Sequence, residues 1–228
     1  MSRTLVIGDI HGCYKEMMKL LDKAGVNDDD QIISLGDMVN RGPDSARVLD
    51  FFRYNSQYRV RAVLGNHEHK HIRARHQNYQ PTVSMMMTRW QFGADYDDAV
   101  AYMDSLPDCI RLPEAILAHA YFEPGIPLTQ QKHRVLVGTM GASSYLKNRY
   151  RRPWWELYDG GVPIIVGHKD MSGKGRPFHY RDRVFGLDSG CVYGGKLSAI
   201  WLPEFRFVTV KARQPHWRRL QQKLQPME

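Results

Sequence analysis

The sequence predicts an α/β fold whose front half is built on parallel strands. Over residues 4–64, short apolar runs alternate with segments of helical spacing in the order strand, helix, strand, helix, strand. Each of these apolar runs leads into a glycine followed by a polar side chain. Later short strands with tight connections predict an antiparallel or mixed back half. The 228 residues suffice for one domain with a sizeable core.

The front half is predicted element by element from the spacing of its apolar residues. Thr4–Ile7, Ile32–Leu35 and Val60–Leu64 are short apolar runs typical of buried strands. Between them, Tyr14–Ala24 and Asp44–Tyr54 carry apolar residues at helical spacing, and a glycine that can cap the helix follows the first segment. Because each strand is followed by a helix, the three strands are expected to be parallel.

The rest of the chain is predicted in the same way. Helices are expected over 82–89 and 94–106. The predicted later strands are Ala115–Ala118, Val162–Val166, Arg183–Leu187, Leu197–Trp201 and Phe207–Val210. Residues 1–210 are therefore expected to form a single domain. A basic tail follows over 211–228, in which His216–Leu224 is either a short helix or loose.

The composition excludes several classes of protein. No apolar run approaches the roughly 18 residues of a transmembrane helix. The chain reaches Asp9 after a short apolar run, too short for the apolar region of a signal peptide. The cysteines Cys13, Cys109 and Cys191 form no CxxC pair, which favours free thiols in a cytoplasmic protein over a disulfide or zinc framework.

The net charge of +8 is concentrated in the back half of the chain. Residues 141–183 hold nine basic and four acidic side chains, and residues 203–228 hold six basic and two acidic ones. Residues 1–140 are nearly balanced. This pattern indicates an anionic partner such as nucleic acid, or simply a solvated basic face.

Five predicted strands end in side chains that are typical of metal sites. The blocks are GDIHG, GDMVNRGP and GNHE after the first three strands, then HA and GH after two later ones. The carboxyl ends of strands in open α/β sheets form a ligand crevice, so these blocks could converge. Aspartate, histidine and asparagine without thiolate suit Mn, Fe or Zn, and two such ions suit phosphoryl chemistry.

In this order and spacing, the blocks GDIHG, GDMVNRGPDS, GNHE, AHA, VGH and LDSGCVYGG resemble the calcineurin-like metallophosphoesterases over about residues 5–202. The most similar branches are the phosphoprotein phosphatases, the small phage lambda-type phosphatases and the symmetrical diadenosine tetraphosphatases. The resemblance implies a four-layer sandwich in which two packed mixed β-sheets are flanked by helices. It also implies a metal-dependent phosphatase in which two divalent ions activate a bridging hydroxide. Mn is the favoured metal, and Fe and Zn are the alternatives.

The resemblance assigns roles to individual residues of this sequence. The metal ligands it implies are Asp9, His11 and Asp37 for one ion and Asp37, Asn66, His119 and His168 for the other. The catalytic group it implies is His67 as general acid, Asn40 as its partner and Arg41 as the phosphate ligand. Candidates for further phosphate contacts are Arg149, Arg151, Arg152 and Tyr193. For the three arginines a solvated helix end is an equal alternative, and for Tyr193 core packing is an equal alternative.

Asn40 departs from the protein-phosphatase pattern, which has aspartate at this position. An asparagine can orient the imidazole of His67 through its carbonyl but cannot stabilise an imidazolium by charge. We therefore expect His67 to be less readily protonated than in that branch. A residue other than aspartate is also a feature of the diadenosine tetraphosphatase branch, whereas the short segment between His119 and His168 is typical of the small phosphatases.

Two substrate classes follow from these observations. The main hypothesis is hydrolysis of phosphomonoesters, including phosphorylated Ser, Thr or Tyr in proteins. The alternative is a symmetrical bis(5'-nucleosyl)-tetraphosphatase. A non-catalytic nucleic-acid-binding protein is disfavoured because every metal-ligand position holds a suitable residue. The expected partner is thus a phosphorylated substrate, with no role for a membrane or nucleic acid.

Overall fold

The computed structural model describes residues 3–76 and 79–224 of the chain. Its strands, in chain order, are β1 (Thr4–Ile7), β2 (Gln31–Ser34), β3 (Arg59–Ala62), β4 (Cys109–Arg111), β5 (Ile116–Ala118), β6 (Ile164–Val166), β7 (Phe178–Tyr180), β8 (Val184–Gly186), β9 (Lys196–Leu202) and β10 (Arg206–Lys211). They form two five-stranded sheets, in the orders β10-β9-β1-β2-β3 and β4-β5-β6-β8-β7.

Both sheets are mixed. In the first sheet β1, β2 and β3 are parallel, and β9 runs antiparallel to both of its neighbours. In the second sheet β5, β6 and β8 are parallel, and the edge strands β4 and β7 pair antiparallel with β5 and β8. The prediction of parallel front strands and a mixed back half is confirmed.

The helices occupy the outer layers. In chain order they are α1 (Tyr14–Ala24), α2 (Ser45–Tyr54), α3 (Asn66–His76), α4 (Val83–Phe92), α5 (Tyr96–Asp104), α6 (His133–Leu136), α7 (Ala142–Arg149), α8 (Trp154–Leu157) and α9 (His216–Leu224). Helix α1 ends as predicted, because Gly25 adopts a left-handed φ of 67° and its N–H bonds the last carbonyls. Within the described residues, no helix is both long and apolar enough to cross a membrane.

Successive residues of the central strands enter different cores, which explains their uninterrupted apolar runs. Leu5 and Ile7 of β1 pack into the core beneath α1 and α2. Val6, between them, lies in the core between the two sheets with Leu117 and Ile165 of the second sheet. A third core separates the second sheet from α6, α7 and α8. The protein therefore has the predicted four layers of helix, sheet, sheet and helix.

The sequence did not predict the shortest elements. Strands β4 and β7 have three residues each, and helices α6 and α8 have four, too few to establish an apolar period. Helix α7 has eight residues, of which only Ala142 and Leu146 are buried. The remaining predicted elements are present with ends shifted by at most three residues. All three cysteines are free; Cys13 and Cys191 are buried as expected, whereas Cys109 is only half-buried.

The C-terminal segment is anchored to α1 through the buried carboxylate of Glu16. Glu16 accepts a hydrogen bond from His216 at 2.8 Å and one from the backbone N–H of Arg213 at 3.0 Å. Burial opposes ionisation of Glu16, but these donors outweigh it and lower its pKa. Residues 216–224 are helical, and residues 225–228 of the predicted tail lie outside the described residues. A domain boundary at residue 210 stays a prediction.

We expect His216→Ala to lower the free energy of unfolding by about 1.5–3 kcal/mol, since it leaves the Glu16 carboxylate buried without its partner. The lowered pKa of Glu16 means that its contribution is present above the ordinary glutamate pKa and is lost as the pH falls through the folded-state value. Urea unfolding at pH 7 and at pH 4 checks both points. Gln221→Ala, on the exposed face of the same helix, is the control; equal stability of the two variants would contradict the anchor.

Candidate active site

Six parallel strands deliver the polar side chains of one site, three from each sheet. All nine residues predicted as metal ligands or catalytic groups lie between the end of such a strand and the first turn of the element that follows it. They are Asp9 and His11 after β1, Asp37, Asn40 and Arg41 after β2, Asn66 and His67 after β3, His119 after β5 and His168 after β6. The sixth strand, β8, leads to Asp188, which sequence reasoning missed although its motif LDSGCVYGG was recognised.

Asp37 lies at the centre of this site. Its Oδ2 is 3.6 Å from Nε2 of His11, and its Oδ1 is 3.4 Å from Nε2 of His119. Oδ1 also accepts the backbone N–H of His67 at 2.8 Å, at the start of α3. One carboxylate thus faces two separate histidines with its two oxygens, which is the arrangement that a ligand shared by two ions requires.

The second group of candidate ligands is tightly assembled. Oδ1 of Asn66 lies 3.1 Å from Nε2 of His119 and 3.0 Å from Nδ1 of His168, and these two nitrogens are 3.2 Å apart. Ligand atoms bound about 2.1 Å from one ion are about 3.0–3.4 Å from each other. The spacing of this group therefore fits a single divalent ion.

Two of the histidines are held with a lone pair directed into the site. Nδ1 of His11 donates to the carbonyl of Val39 at 2.9 Å, and Nδ1 of His119 donates to the carbonyl of Leu35 at 2.8 Å. Each Nε2 is consequently free of its proton in the neutral ring and available as a ligand. This is the usual way in which proteins fix the tautomer of a metal-binding histidine.

Asp9 sits differently from the other predicted ligands. Its Oδ1 accepts a hydrogen bond from the backbone N–H of His168 at 2.8 Å. Asp9 belongs to neither of the two close groups of candidate ligand atoms, of which one consists of His11, Asp37 and His67 and the other of Asp37, His119 and His168. Burial raises the pKa of Asp9, and the carboxylate of Asp188 raises it further. Two buried carboxylates, Asp9 and Asp37, with the half-buried Asp188 beside them, fit a site for cations. The role of Asp9 as a ligand stays a prediction.

The charged groups of the site depart strongly from their ordinary titration. Burial disfavours the charged form of His119, but Asp37 outweighs it and raises the pKa of His119 to about 10. Burial lowers the pKa of His11 to about 4 and that of His168 to about 3. The carboxylate of Asp37 thus favours positive charge at this position, as a cation site requires.

The loops that carry the site are unusual in backbone conformation. His11, Asp37, Asn40, Arg41 and His168 all have positive φ, between 46° and 72°. Residues with a side chain adopt this left-handed region rarely and at a cost in energy, so the surrounding structure must hold them there. The concentration of such residues at one place is typical of a functional site.

Glu68 is a residue whose importance the sequence did not reveal. It is fully buried, and its two oxygens accept four backbone N–H groups at 2.8–3.2 Å, those of Gly65, Asp37, Met38 and Val39. Burial raises its pKa to about 7. Glu68 thereby ties the loop after β2 to the start of α3. Its place in the GNHE block was the available signal.

His67 is oriented by a buried hydrogen-bond network through Asn40. Nδ2 of Asn40 lies 3.0 Å from Nδ1 of His67. Oδ1 of Asn40 accepts hydrogen bonds from His71 at 3.0 Å and from the hydroxyl of Thr88 at 2.9 Å. The amide nitrogen, rather than the expected carbonyl, therefore faces His67. Because the amide N–H of Asn40 can only donate, Nδ1 of His67 must accept this hydrogen bond and therefore carries no proton.

The surroundings of His67 also favour its neutral form. Burial lowers its pKa well below the ordinary value, and nearby cationic groups add to this, among them Arg41 and Lys70. The ammonium of Lys70 is 3.3 Å from Nε2 of His67, and burial lowers the pKa of Lys70 in turn. The expectation that His67 is not readily protonated thus agrees with its environment.

The predicted phosphate-binding residues divide into two sets. Arg41 lies at the ligand cluster, with its Nη1 3.0 Å from Nε2 of His11 and its guanidinium over the ring of the half-exposed Tyr193. The other set lies along α7 and the loop before α8. There Arg149 pairs with the buried Glu123 at 3.0 Å, and Arg152 pairs with Glu156 at 3.1 Å.

Comparison with known proteins agrees with this geometry. The sequence model of the calcineurin-like phosphoesterases matches residues 2–210. The asymmetrical bis(5'-nucleosyl)-tetraphosphatases PrpE of Bacillus subtilis and Anoxybacillus flavithermus are 28% and 30% identical, each alignment covering 92% of this chain and 95% of the relative. The symmetrical bis(5'-nucleosyl)-tetraphosphatase of Erwinia tasmaniensis is 27% identical, covering 92% of this chain and 98% of the relative.

Solved structures agree at the level of the fold. A crystal structure described provisionally as that of a diadenosine tetraphosphatase superposes with a TM-score of 0.72 at 28% identity, covering 92% of this chain and 94% of the other. The cold-active protein-tyrosine phosphatase of a psychrophilic Shewanella has a TM-score of 0.58 at 15% identity, with 93% and 81% covered. The second likeness is one of fold alone.

We expect Asp37→Ala to reduce bound manganese from two ions per chain to one or none, because both groups of candidate ligands lose their shared carboxylate. Turnover should fall by more than the roughly 100-fold that is typical of changes around a metal ligand. Metal analysis after gel filtration, together with phosphate release, measures both. Asp98→Ala, an exposed carboxylate on α5, serves as the control. An active Asp37→Ala protein that retains two ions would refute the shared ligand.

We expect Asn40→Asp to raise the pKa of His67, since a carboxylate at this position stabilises the imidazolium. If His67 must be protonated for turnover, the basic limb of the pH–rate profile then moves to higher pH. Asn148→Asp, an exposed change on α7, should leave the profile where it is. A basic limb that does not move in Asn40→Asp would count against this pairing.

Proposed function

The chain belongs to the calcineurin-like phosphoesterase family and is a phosphoric ester hydrolase; on that premise we propose that it hydrolyses dinucleoside tetraphosphates. The sequence favoured phosphoprotein substrates first and this class second. The relatives that cover 92% of this chain are named bis(5'-nucleosyl)-tetraphosphatases, and this support reverses the order.

The observation that carries the proposal is that the contacts of His67 favour the neutral form of its imidazole. Hydrolysis of phosphoserine expels an alkoxide, which depends on protonation by a general acid. Hydrolysis of a phosphoanhydride expels a phosphate, whose second pKa is about 6, so it leaves with little protonation. An imidazole that faces the amide of Asn40 and the ammonium of Lys70 suits the second kind of leaving group.

Two divalent ions complete the proposed site, with manganese as the proposed metal. His11 and Asp37 would hold one, together with the predicted ligand Asp9. Asp37 would share the second with the group formed by Asn66, His119 and His168. When bound, the ions supply an activated water and neutralise charge on the phosphate under attack.

The remaining residues position and neutralise the substrate. Arg41 would donate to two oxygens of the phosphate under attack, because its guanidinium already lies against His11 at the edge of the ligand cluster. His67 would donate a hydrogen bond to the leaving oxygen through Nε2. Lys70, beside that nitrogen, would stabilise the negative charge that the leaving phosphate gains. We also expect the enzyme to act in the cytoplasm, where its cysteines stay reduced.

A phosphate-release panel on the manganese-loaded enzyme tests the proposal. We expect kcat/KM for diadenosine tetraphosphate to exceed that for p-nitrophenyl phosphate and for a phosphoserine peptide by about tenfold or more. Chromatography of the products identifies the bond that is cleaved, because asymmetrical cleavage gives AMP and ATP whereas symmetrical cleavage gives two molecules of ADP. A higher kcat/KM for the phosphopeptide would overturn the assignment in favour of a phosphoprotein phosphatase.

A further inference from the structure

A cavity of about 360 Å³ opens beside the second group of candidate ligands. Its wall includes Ala120 and Gly167, which directly follow His119 and precede His168. Helix α7 and the loop before α8 form the opposite wall. We call this space the side cavity. Its volume lies within the range of about 300–1,000 Å³ that is usual for small-molecule sites, and the sequence neighbours of His119 and His168 bring its wall next to the second group of candidate ligands.

The side cavity is lined by aromatic rings. The ring of Tyr121 stands edge-on to that of His168, 5.2 Å away between centroids. Trp155 is half-buried and is held by edge-to-face contacts with Trp154 at 6.1 Å and Phe178 at 6.2 Å. Aromatic side chains of this kind bind nucleobases by stacking, largely regardless of which base is present.

The rim of the side cavity is positively charged. Lys147, Arg151 and Lys169 line it, are exposed, and make no ion pair among the described residues. The acidic residue of the wall, Asp170, has its oxygens engaged by the backbone N–H groups of its own loop, including that of Gly175 at 2.7 Å. These three cations belong to the basic stretch 141–183. They match a polyphosphate chain better than a neutral ligand.

We propose that the side cavity binds one nucleoside of the substrate, with the base against Tyr121 and Trp155 and the ribose directed toward His168. Lys147, Arg151 and Lys169 neutralise the phosphates that connect it to the proposed metal site. The inference rests on the proposed function, because it deepens the assignment of a dinucleoside polyphosphate. An aromatic cavity beside a phosphatase site could instead hold a phosphotyrosine side chain, so the test includes that compound.

The test compares inhibitors that share a phosphate monoester and differ in what is attached to it. Manganese-loaded wild-type enzyme hydrolyses p-nitrophenyl phosphate in the presence of AMP, ribose 5-phosphate or O-phosphotyrosine. We expect the inhibition constant of AMP to be about tenfold lower than that of ribose 5-phosphate, because only AMP carries a base that can stack. Equal constants for these two, or tighter inhibition by phosphotyrosine than by AMP, would overturn the proposal.

Variants locate the effect in the side cavity. Trp155→Ala should remove the advantage of AMP while changing the constant of ribose 5-phosphate by less than about twofold. Tyr121→Leu, which keeps apolar bulk in the wall, gives a second reading if Trp155→Ala fails to fold. The control is Lys174→Ala, an exposed lysine outside the side cavity, which should leave the advantage intact. If AMP still inhibits more tightly than ribose 5-phosphate in both Trp155→Ala and Tyr121→Leu, and both variants are folded, the proposal is also overturned.

The two proposals can fail separately. If the enzyme does not cleave diadenosine tetraphosphate but AMP keeps its advantage and loses it in Trp155→Ala, the proposed function fails and the nucleoside site stands. If diadenosine tetraphosphate is cleaved efficiently but AMP and ribose 5-phosphate inhibit equally, the function stands and the nucleoside site fails.

Discussion

The site depends on one buried carboxylate that joins the two sheets. Asp37 follows β2 of the first sheet, yet one of its oxygens faces His119 from the second sheet and the other faces His11. An ionised carboxylate away from water is costly unless positive charge or hydrogen-bond donors surround it. Here the backbone N–H of His67, the imidazoles and, in the proposed enzyme, two cations supply that compensation. The sheets must therefore pack at a fixed distance and register.

A second buried acid holds this arrangement in place. Glu68 accepts four backbone N–H groups of the loop that presents Asp37 and of the turn before α3. Those hydrogen bonds offset the cost of the left-handed backbone at Asp37 and its neighbours. The neutral partner of His67 fits the same picture. With Asn40 in place of a carboxylate, the crevice has one negative charge fewer beside His67. In the proposed function, this favours substrates whose leaving group needs little protonation.

The sequence predicted most of the fold and the candidate site because both are encoded locally. Buried strands such as Thr4–Ile7 are recognisable from their own residues, and the polar blocks at their ends need no knowledge of their partners. Glu68 and Asp188 escaped prediction because their roles arise from contacts with distant segments, and for the same reason the sequence left His71 open between a surface position and one behind the site. His71 looks like a surface histidine until α3 packs it against Asn40. For the same reason the sequence could not show which atom of Asn40 faces His67, since Thr88 and His71 decide it.

In the proposed enzyme, two ions share Asp37 where the two sheets meet. Anomalous diffraction from crystals grown with manganese, recorded on both sides of the manganese absorption edge, locates these ions. We expect two peaks about 3.5–4 Å apart on either side of the Asp37 carboxylate, one beside His11 and the other among Asn66, His119 and His168. A single peak, or two peaks without Asp37 as common ligand, would contradict this expectation.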